Sequence, residues 1–199
     1  MKIMNIQEKT EQLKKIRDKV IACQKCPLYQ TRNLPVVGVG SHDAKVMFVG
    51  EAPGASEDAT GVPFCGKAGK ILDEIIESVG LKRENVYICN VLKCRPPGNR
   101  DPLPVEKQTC IPYLKRQIEI IQPKIICAMG NHAAGFIFEQ FGLSDKLVGI
   151  SKLHGQVFDS ESFSYPVKIV SLYHPAVATY NPGMKKTLLE DIKVLKEFI

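Results

Sequence analysis

The chain has 199 residues, 44% of them hydrophobic and 24% charged, with seven cysteines and a net charge of +6. That is enough for one large domain, 1–199, with a substantial core. It has neither the roughly 18 consecutive apolar residues of a membrane span nor, in its Lys/Glu-rich start, the apolar segment of a secretory signal. An odd cysteine count without such a signal argues against a disulfide framework and for metal ligation plus buried thiols, in a cytoplasmic protein. The positive charge favours polyanionic partners without proving one.

In chain order, Ile6–Ala22 places Ile6, Leu13, Ile16, Val20 and Ile21 at mostly helical spacing, which predicts an amphipathic helix ending just before Cys23. Four short Val/Ile-rich runs read as buried strands: Lys45–Gly50, Val86–Val91, Lys124–Gly130 and Val167–Tyr173. Helical patterns alternate with them at Gly66–Val79, Pro104–Ile121 and Asn131–Phe141, and Met184–Phe198 closes the chain. His154–Asp159 fits an edge strand or a loop hairpin. The alternation predicts an α/β protein: a three-layer α/β/α sandwich around a mainly parallel four-stranded sheet. Such sheets bind ligands outside the carboxyl ends of their strands. Gly50-Glu51-Ala52-Pro53-Gly54, Asn90, Gly130-Asn131 and His174-Pro175-Ala176 all fall there, so a carboxylate, an amide and an imidazole are expected on one rim.

Gly50-Glu51-Ala52-Pro53-Gly54 reads as a tight βα turn whose backbone approaches a substrate and which aims Glu51 into the crevice. The Gly-rich stretch 61–69 lacks Gly-x4-Gly-Lys-Ser/Thr spacing, because Ala68 follows Lys67, which argues against an ATP site. Phe64 within it is a core anchor or a stacking platform for a base. Asn90 ends an apolar strand, where its donor and acceptor suit the edge of a pyrimidine as well as a structural hydrogen bond. Pro175 fixes the chain directly after His174, and the small-residue loop 177–182 is suited to entering a groove.

Cys23 and Cys26 form a tight Cys-x2-Cys pair, and Cys94 and Cys110 are split by fifteen residues rich in Pro, Arg and Lys. Four thiolates call for a soft metal centre, either zinc or an iron–sulfur cluster, and spacing alone does not choose between them. Such a cage would tie the first helix to a basic loop carrying Lys93, Arg95 and Arg100, whose cations suit phosphate contacts. Cys89 and Cys127 read as small buried hydrophobes, and Cys65 as a loop residue.

Together these motifs resemble the family 4 uracil-DNA glycosylases, the iron–sulfur branch of their superfamily found in thermophilic bacteria and archaea. The resemblance runs from about Cys23 to Pro182. It rests on Gly-Glu-Ala-Pro-Gly, on Gly-x-Pro-Phe-x-Gly-x-Ala-Gly, on Asn90 with Lys93-Cys94-Arg95-Pro96, on His174-Pro175-Ala176, and on the four cysteines in this order. It implies a [4Fe–4S] cluster on Cys23, Cys26, Cys94 and Cys110 with a structural role, and a monomer acting on uracil-containing DNA, single- or double-stranded; a replication-clamp partner is left open.

The resemblance further implies a monofunctional enzyme that flips uracil into the crevice and hydrolyses its N-glycosidic bond. Gly50, Ala52, Pro53 and Gly54 would line the base, Phe64 would stack on it, Asn90 would read its edge, and Glu57 would sit near C5 and exclude thymine. His174 would hydrogen-bond O2 as charge develops. Better-known relatives carry Asp where Ala52 stands, so either Glu51 positions the water or leaving-group stabilisation and the DNA phosphates carry most of the load. Many relatives carry Leu and Arg in the loop after His174; the smaller wedge here, Val177, Ala178, Thr179 and Tyr180, implies a preference for single strands or U·G over U·A. The rival readings are a non-catalytic metal-stapled nucleic-acid-binding module and a glycosylase acting more broadly on deaminated bases.

Overall fold

The computed structural model describes residues 4–161 and 165–199. In chain order its elements are α1 (Ile6–Ile21), β1 (Val39–Gly40), β2 (Val46–Gly50), α2 (Ala55–Thr60), α3 (Lys67–Ser78), β3 (Tyr87–Asn90), α4 (Pro104–Ile121), β4 (Ile125–Met129), α5 (Asn131–Gln140), α6 (Ile150–Leu153), β5 (Val157–Ser160), β6 (Val167–Leu172), α7 (Val177–Tyr180) and α8 (Met184–Asp191). A last 3₁₀ stretch, Ile192–Glu197, follows α8, so the closing helix is shorter and tighter than its periodicity predicts. No helix among the described residues is long and apolar enough to cross a membrane.

The four expected strands pair in parallel in the order β3-β2-β4-β6. The sheet has six strands rather than four, because an antiparallel strand caps each edge: β1 on β3 and β5 on β6. The His154–Asp159 ambiguity therefore resolves as an edge strand. Two residues of β1 are too few to leave a periodic signal, which is why that strand is missed.

Alternation along the strands divides the core. Met47, Val49, Tyr87, Cys89, Ile126 and Ala128 face α1, α4 and α5, packing with Leu13, Ile118 and Ile137. Val46, Phe48, Ile88, Ile125, Cys127 and Met129 face the opposite layer, with Leu72, Ile76 and Leu188 from α3 and α8. Strands buried on both faces read as continuous apolar runs, as these do.

From β2 the chain first adds β3 on one side and then β4 on the other, so a crevice opens at the carboxyl ends of β2 and β4. In the layer formed by α1 and α4, capping fixes where the helices start. Asn5 and Glu8 exchange side-chain-to-backbone bonds at the head of α1, while Glu106 accepts from the Leu103 N–H and from Arg100 at the head of α4.

Candidate active site

At the carboxyl ends of the strands lies a cavity of about 260 Å³ lined by Ala52, Gly54, Glu57, Phe64, Ala68, Asn90, Asn99, His174, Ala176 and Tyr180. It is below the roughly 300–1,000 Å³ of sites for drug-sized ligands, a size that suits one flat heterocycle. Larger hollows elsewhere, such as the one between Lys124, Tyr165 and Phe198, bring together none of these polar groups.

Asn90 is 1% exposed, and its Oδ1 has no hydrogen-bond partner. A buried acceptor left unmet costs about 1–3 kcal/mol, so this atom points to a ligand that donates. Its approach depends on Gly50: a Cβ there would sit 2.3 Å from Asn90 Oδ1 and 2.7 Å from the Phe64 ring. The Asn90 main chain is braced from behind, where Lys93 Nζ donates to the Asn90 carbonyl (2.8 Å) and to Gln117 Oε1 (2.7 Å).

That brace corrects one expectation. Lys93 is not a phosphate contact; it is 1% exposed. Burial pushes its ammonium pKa down, opposed by the thiols of Cys89, Cys110 and Cys94. The basic loop is further committed: Arg100 makes a two-pronged bond to the fully buried Glu106, and the Arg95 Nε donates to Asn99 Oδ1 at 2.7 Å. Asn99 itself lines the cavity, a residue that the motif reading passed over. Its signal was the Pro-Pro-Gly-Asn turn, in which Asn99 takes the left-handed conformation that asparagine tolerates.

His174 packs its ring against Phe64, with centroids 5.5 Å apart. Burial lowers its pKa to about 4, against the pull of Glu57, so the imidazole is neutral at physiological pH. The Ala176 N–H donates to His174 Nδ1 at 3.2 Å, which makes Nδ1 the acceptor and places the ring proton on Nε2. Glu57 staples two loops: its Oε2 accepts from Gly54 N–H (3.1 Å) and its Oε1 from Gly66 N–H (3.3 Å).

Phe64 holds a left-handed backbone (φ 51°), costly for a non-glycine residue, and is kept there by α3. A Cβ on Gly69 would lie 1.8 Å from the Phe64 carbonyl oxygen. In an ordinary helix Gly→Ala stabilises by roughly 0.5–1 kcal/mol. Here Gly69→Ala must displace Phe64, and an ångström of misplacement can cost about 10²-fold. The expected result is a kcat/KM lower by about that factor without a gain in thermal midpoint, measured by base release and by circular dichroism.

Glu51 departs from expectation in its direction. It is half-buried beside Ala52, but its carboxylate meets Asp101 and His132 rather than lining the cavity; the three donor atoms lie within 4.8 Å of one another. Pro53 is buried and shapes the turn. In α7, Val177 packs against the core and Ala178 is buried. Thr179 is exposed, its hydroxyl turned back to the Ala176 carbonyl. Tyr180, 85% exposed, projects alone at the cavity mouth.

The four cysteines converge where the end of α1, the loop after β3 and the second turn of α4 meet. Cys23 is half-exposed, while Cys26, Cys94 and Cys110 are buried and share a small hollow with Arg32, Lys93, Tyr29 and Tyr113. Arg32 Nη1 donates to Cys94 Sγ at 3.1 Å and its Nη2 to the Ile21 carbonyl at 2.7 Å, joining the end of α1 to the cage. Burial raises the thiol pKa of Cys26, of Cys94 and, to about 11, of Cys110. Cys65 is exposed, and Cys89 and Cys127 are fully buried in strands.

A family model described as the uracil DNA glycosylase superfamily matches residues 37–196. The type-4 uracil-DNA glycosylase of Archaeoglobus fulgidus is 46% identical over 187 residues, covering 94% of this chain and 93% of that protein. That of Sulfurisphaera tokodaii is 46% identical over 188 residues, covering 94% and 84%. That of Thermotoga maritima is 41% identical over 186 residues, covering 92% and 93%. With the cavity, its asparagine and its histidine in place, the chain belongs to the type-4 uracil-DNA glycosylases of the uracil-DNA glycosylase superfamily.

Proposed function

We propose that this protein excises uracil from DNA by hydrolysing the N-glycosidic bond, leaving an abasic site. The observation that carries the reading is the unmet, buried Oδ1 of Asn90 at the wall of a one-base cavity. Uracil presents an N3–H donor to that oxygen, and its O4 can accept from the amide nitrogen. Cytosine presents an acceptor at N3 and a donor at C4, so both groups would face their own kind in a buried site. Sites built this way discriminate by about 10⁴–10⁵. Thymine shares uracil's edge and differs at C5, where the stapled carboxylate of Glu57 stands in the way of a methyl group.

A base within a duplex is out of reach, so the nucleotide is flipped into the cavity and stacks on Phe64. As the bond to C1′ breaks, negative charge grows on the uracil and positive charge on the sugar. His174, neutral with its proton on Nε2, donates to O2 as that charge appears. A preplaced donor of this kind is worth about 10²–10³ in kcat. Because burial holds its pKa near 4, the neutral donor persists as pH falls until that value is approached. Glu51, turned toward Asp101 and His132 beside the cavity lining, is the carboxylate on this turn that would position water for attack on C1′. Among the described residues no lysine lines the cavity, which fits a monofunctional enzyme.

The four thiols fit an iron–sulfur cluster. They come from the end of α1, the following turn, the loop after β3 and the second turn of α4, and burial alone would leave Cys26, Cys94 and Cys110 protonated; a metal centre holds them as thiolates. One zinc at about 2.3 Å would draw its four sulfurs to within roughly 3.8 Å of each other. Among the described residues the sulfurs form no set that tight. Cys23, Cys26, Cys94 and Cys110 would hold a [4Fe–4S] cluster whose contribution is structural.

His174→Ala tests the reading. Uracil released from a single-stranded oligonucleotide should fall by about 10²–10³-fold with DNA affinity retained, whereas an undiminished rate contradicts the assignment. At the cavity mouth, Tyr180 is the one large side chain of the wedge, so uracil in single strands and U·G pairs should be excised faster than in U·A. Tyr180→Ala should widen that gap, and equal rates on all three substrates would refute this account of the loop.

A further inference from the structure

We propose that His132, braced by Asp101, is a positioning residue for Glu51, setting a basic ring directly beside this half-buried carboxylate. The inference rests on the assignment of Glu51 to the reaction and deepens it. His132 is the second residue of α5, which starts directly beyond β4, and Asp101 lies on the loop before α4; their side chains meet at 3.5 Å (Nε2 to Oδ1). Both donor atoms lie within 4.8 Å of the Glu51 carboxylate. No side-chain hydrogen bond from the chain reaches that carboxylate among the described residues. It stands next to Ala52, where an acid would otherwise be available to handle water, so its charge state governs the only carboxylate left for that task on this turn.

The groups facing Glu51 come from three segments and act in opposite directions. Burial pushes the Glu51 pKa up; the His132 imidazolium pulls it down, Asp101 pushes it up, and Lys107 of α4 pulls it down. The sign for activity follows. A carboxyl whose pKa is raised is protonated, and lost to catalysis, at a higher pH than usual. Removing the imidazolium raises it further, so the acid limb of the pH–rate profile moves to higher pH. The limb set by His174 lies lower, near pH 4.

The test is the pH dependence of kcat/KM for uracil release by the full-length, cluster-loaded protein. In His132→Gln the acid limb should move up by about 0.5–1 unit, as a nearby cation's removal predicts, and the deficit should shrink as pH rises. His132→Lys, which restores a cation, should return the limb toward the native position, an effect that a merely structural role for the imidazole would not produce. His132 is partly exposed, so the thermal midpoint should hold in both variants. A limb in His132→Gln that coincides with the native one, or a lysine variant that behaves like the glutamine variant, overturns the proposal. Glu51→Gln separates the two layers: if it keeps the native rate and profile, the assignment of Glu51 fails independently of His132.

Discussion

Replacing Asn90 by Ala is expected to lower kcat/KM on uracil-containing DNA by about 10²–10³-fold. Two hydrogen bonds to the base are lost at roughly 1.5–2 kcal/mol each, and each 1.36 kcal/mol is about tenfold in rate. The loss should come with a collapse of discrimination, since without the amide nothing in the cavity distinguishes the donor–acceptor order of uracil from that of cytosine. Stability should fall less than in a usual core truncation. The native Oδ1 is buried without a partner, so its removal relieves a cost that offsets the cavity left behind. Steady-state rates on oligonucleotides carrying uracil or cytosine at one position, together with the thermal midpoint, check both halves. A variant that keeps native selectivity would show that Asn90 is only a structural amide.

Cys110→Ala is the second large effect, and it acts on folding rather than chemistry. Cys110 is 3% exposed and lies in the second turn of α4, the helix against which α1 packs. On the proposed cluster, losing one of four ligands would remove its contribution, and metal loss belongs with changes of more than about 4 kcal/mol. At about 2–4 °C per kcal/mol for a chain of this size, the thermal midpoint should fall by roughly 10 °C or more. The consequence reaches the site through a short path: Cys94 adjoins Lys93, and Lys93 holds the Asn90 carbonyl. Iron content, visible absorption and the midpoint should therefore change together. Cys65→Ala, at an exposed thiol outside the cage, should leave all three in place. A midpoint unmoved in Cys110→Ala would separate that cysteine from the cage.

Much of this was legible in the residues. Strands buried on both faces declare themselves as apolar runs, so β2, β3, β4 and β6 and the crevice at their ends followed from pattern and topology. The edge strand β1, two residues long, has no period to read. Glu57, Phe64, Asn90 and His174 do meet in one cavity, the last two at or just past strand ends, Glu57 from α2 and Phe64 from the loop before α3. Lys93 was misread because a lysine between a cysteine and a valine-rich strand looks solvated until Gln117, from a helix twenty-four residues on, is brought against it. The pairing of Glu51 with Asp101 and His132 was equally hidden, because it joins three segments that only the fold makes neighbours. Val177 illustrates the same limit: loop composition marked it as a wedge, while a single helical turn rotates it onto the core and leaves Tyr180 outside.

The central claim is base excision by hydrolysis, and the most direct measurement is cleavage of an end-labelled oligonucleotide with one uracil, with and without hot alkali. The account predicts free uracil in amounts equal to the alkali-sensitive sites, an intact strand before alkali, and loss of both products in Asn90→Ala. DNA bound with no uracil released, or strands broken before alkali, would contradict it.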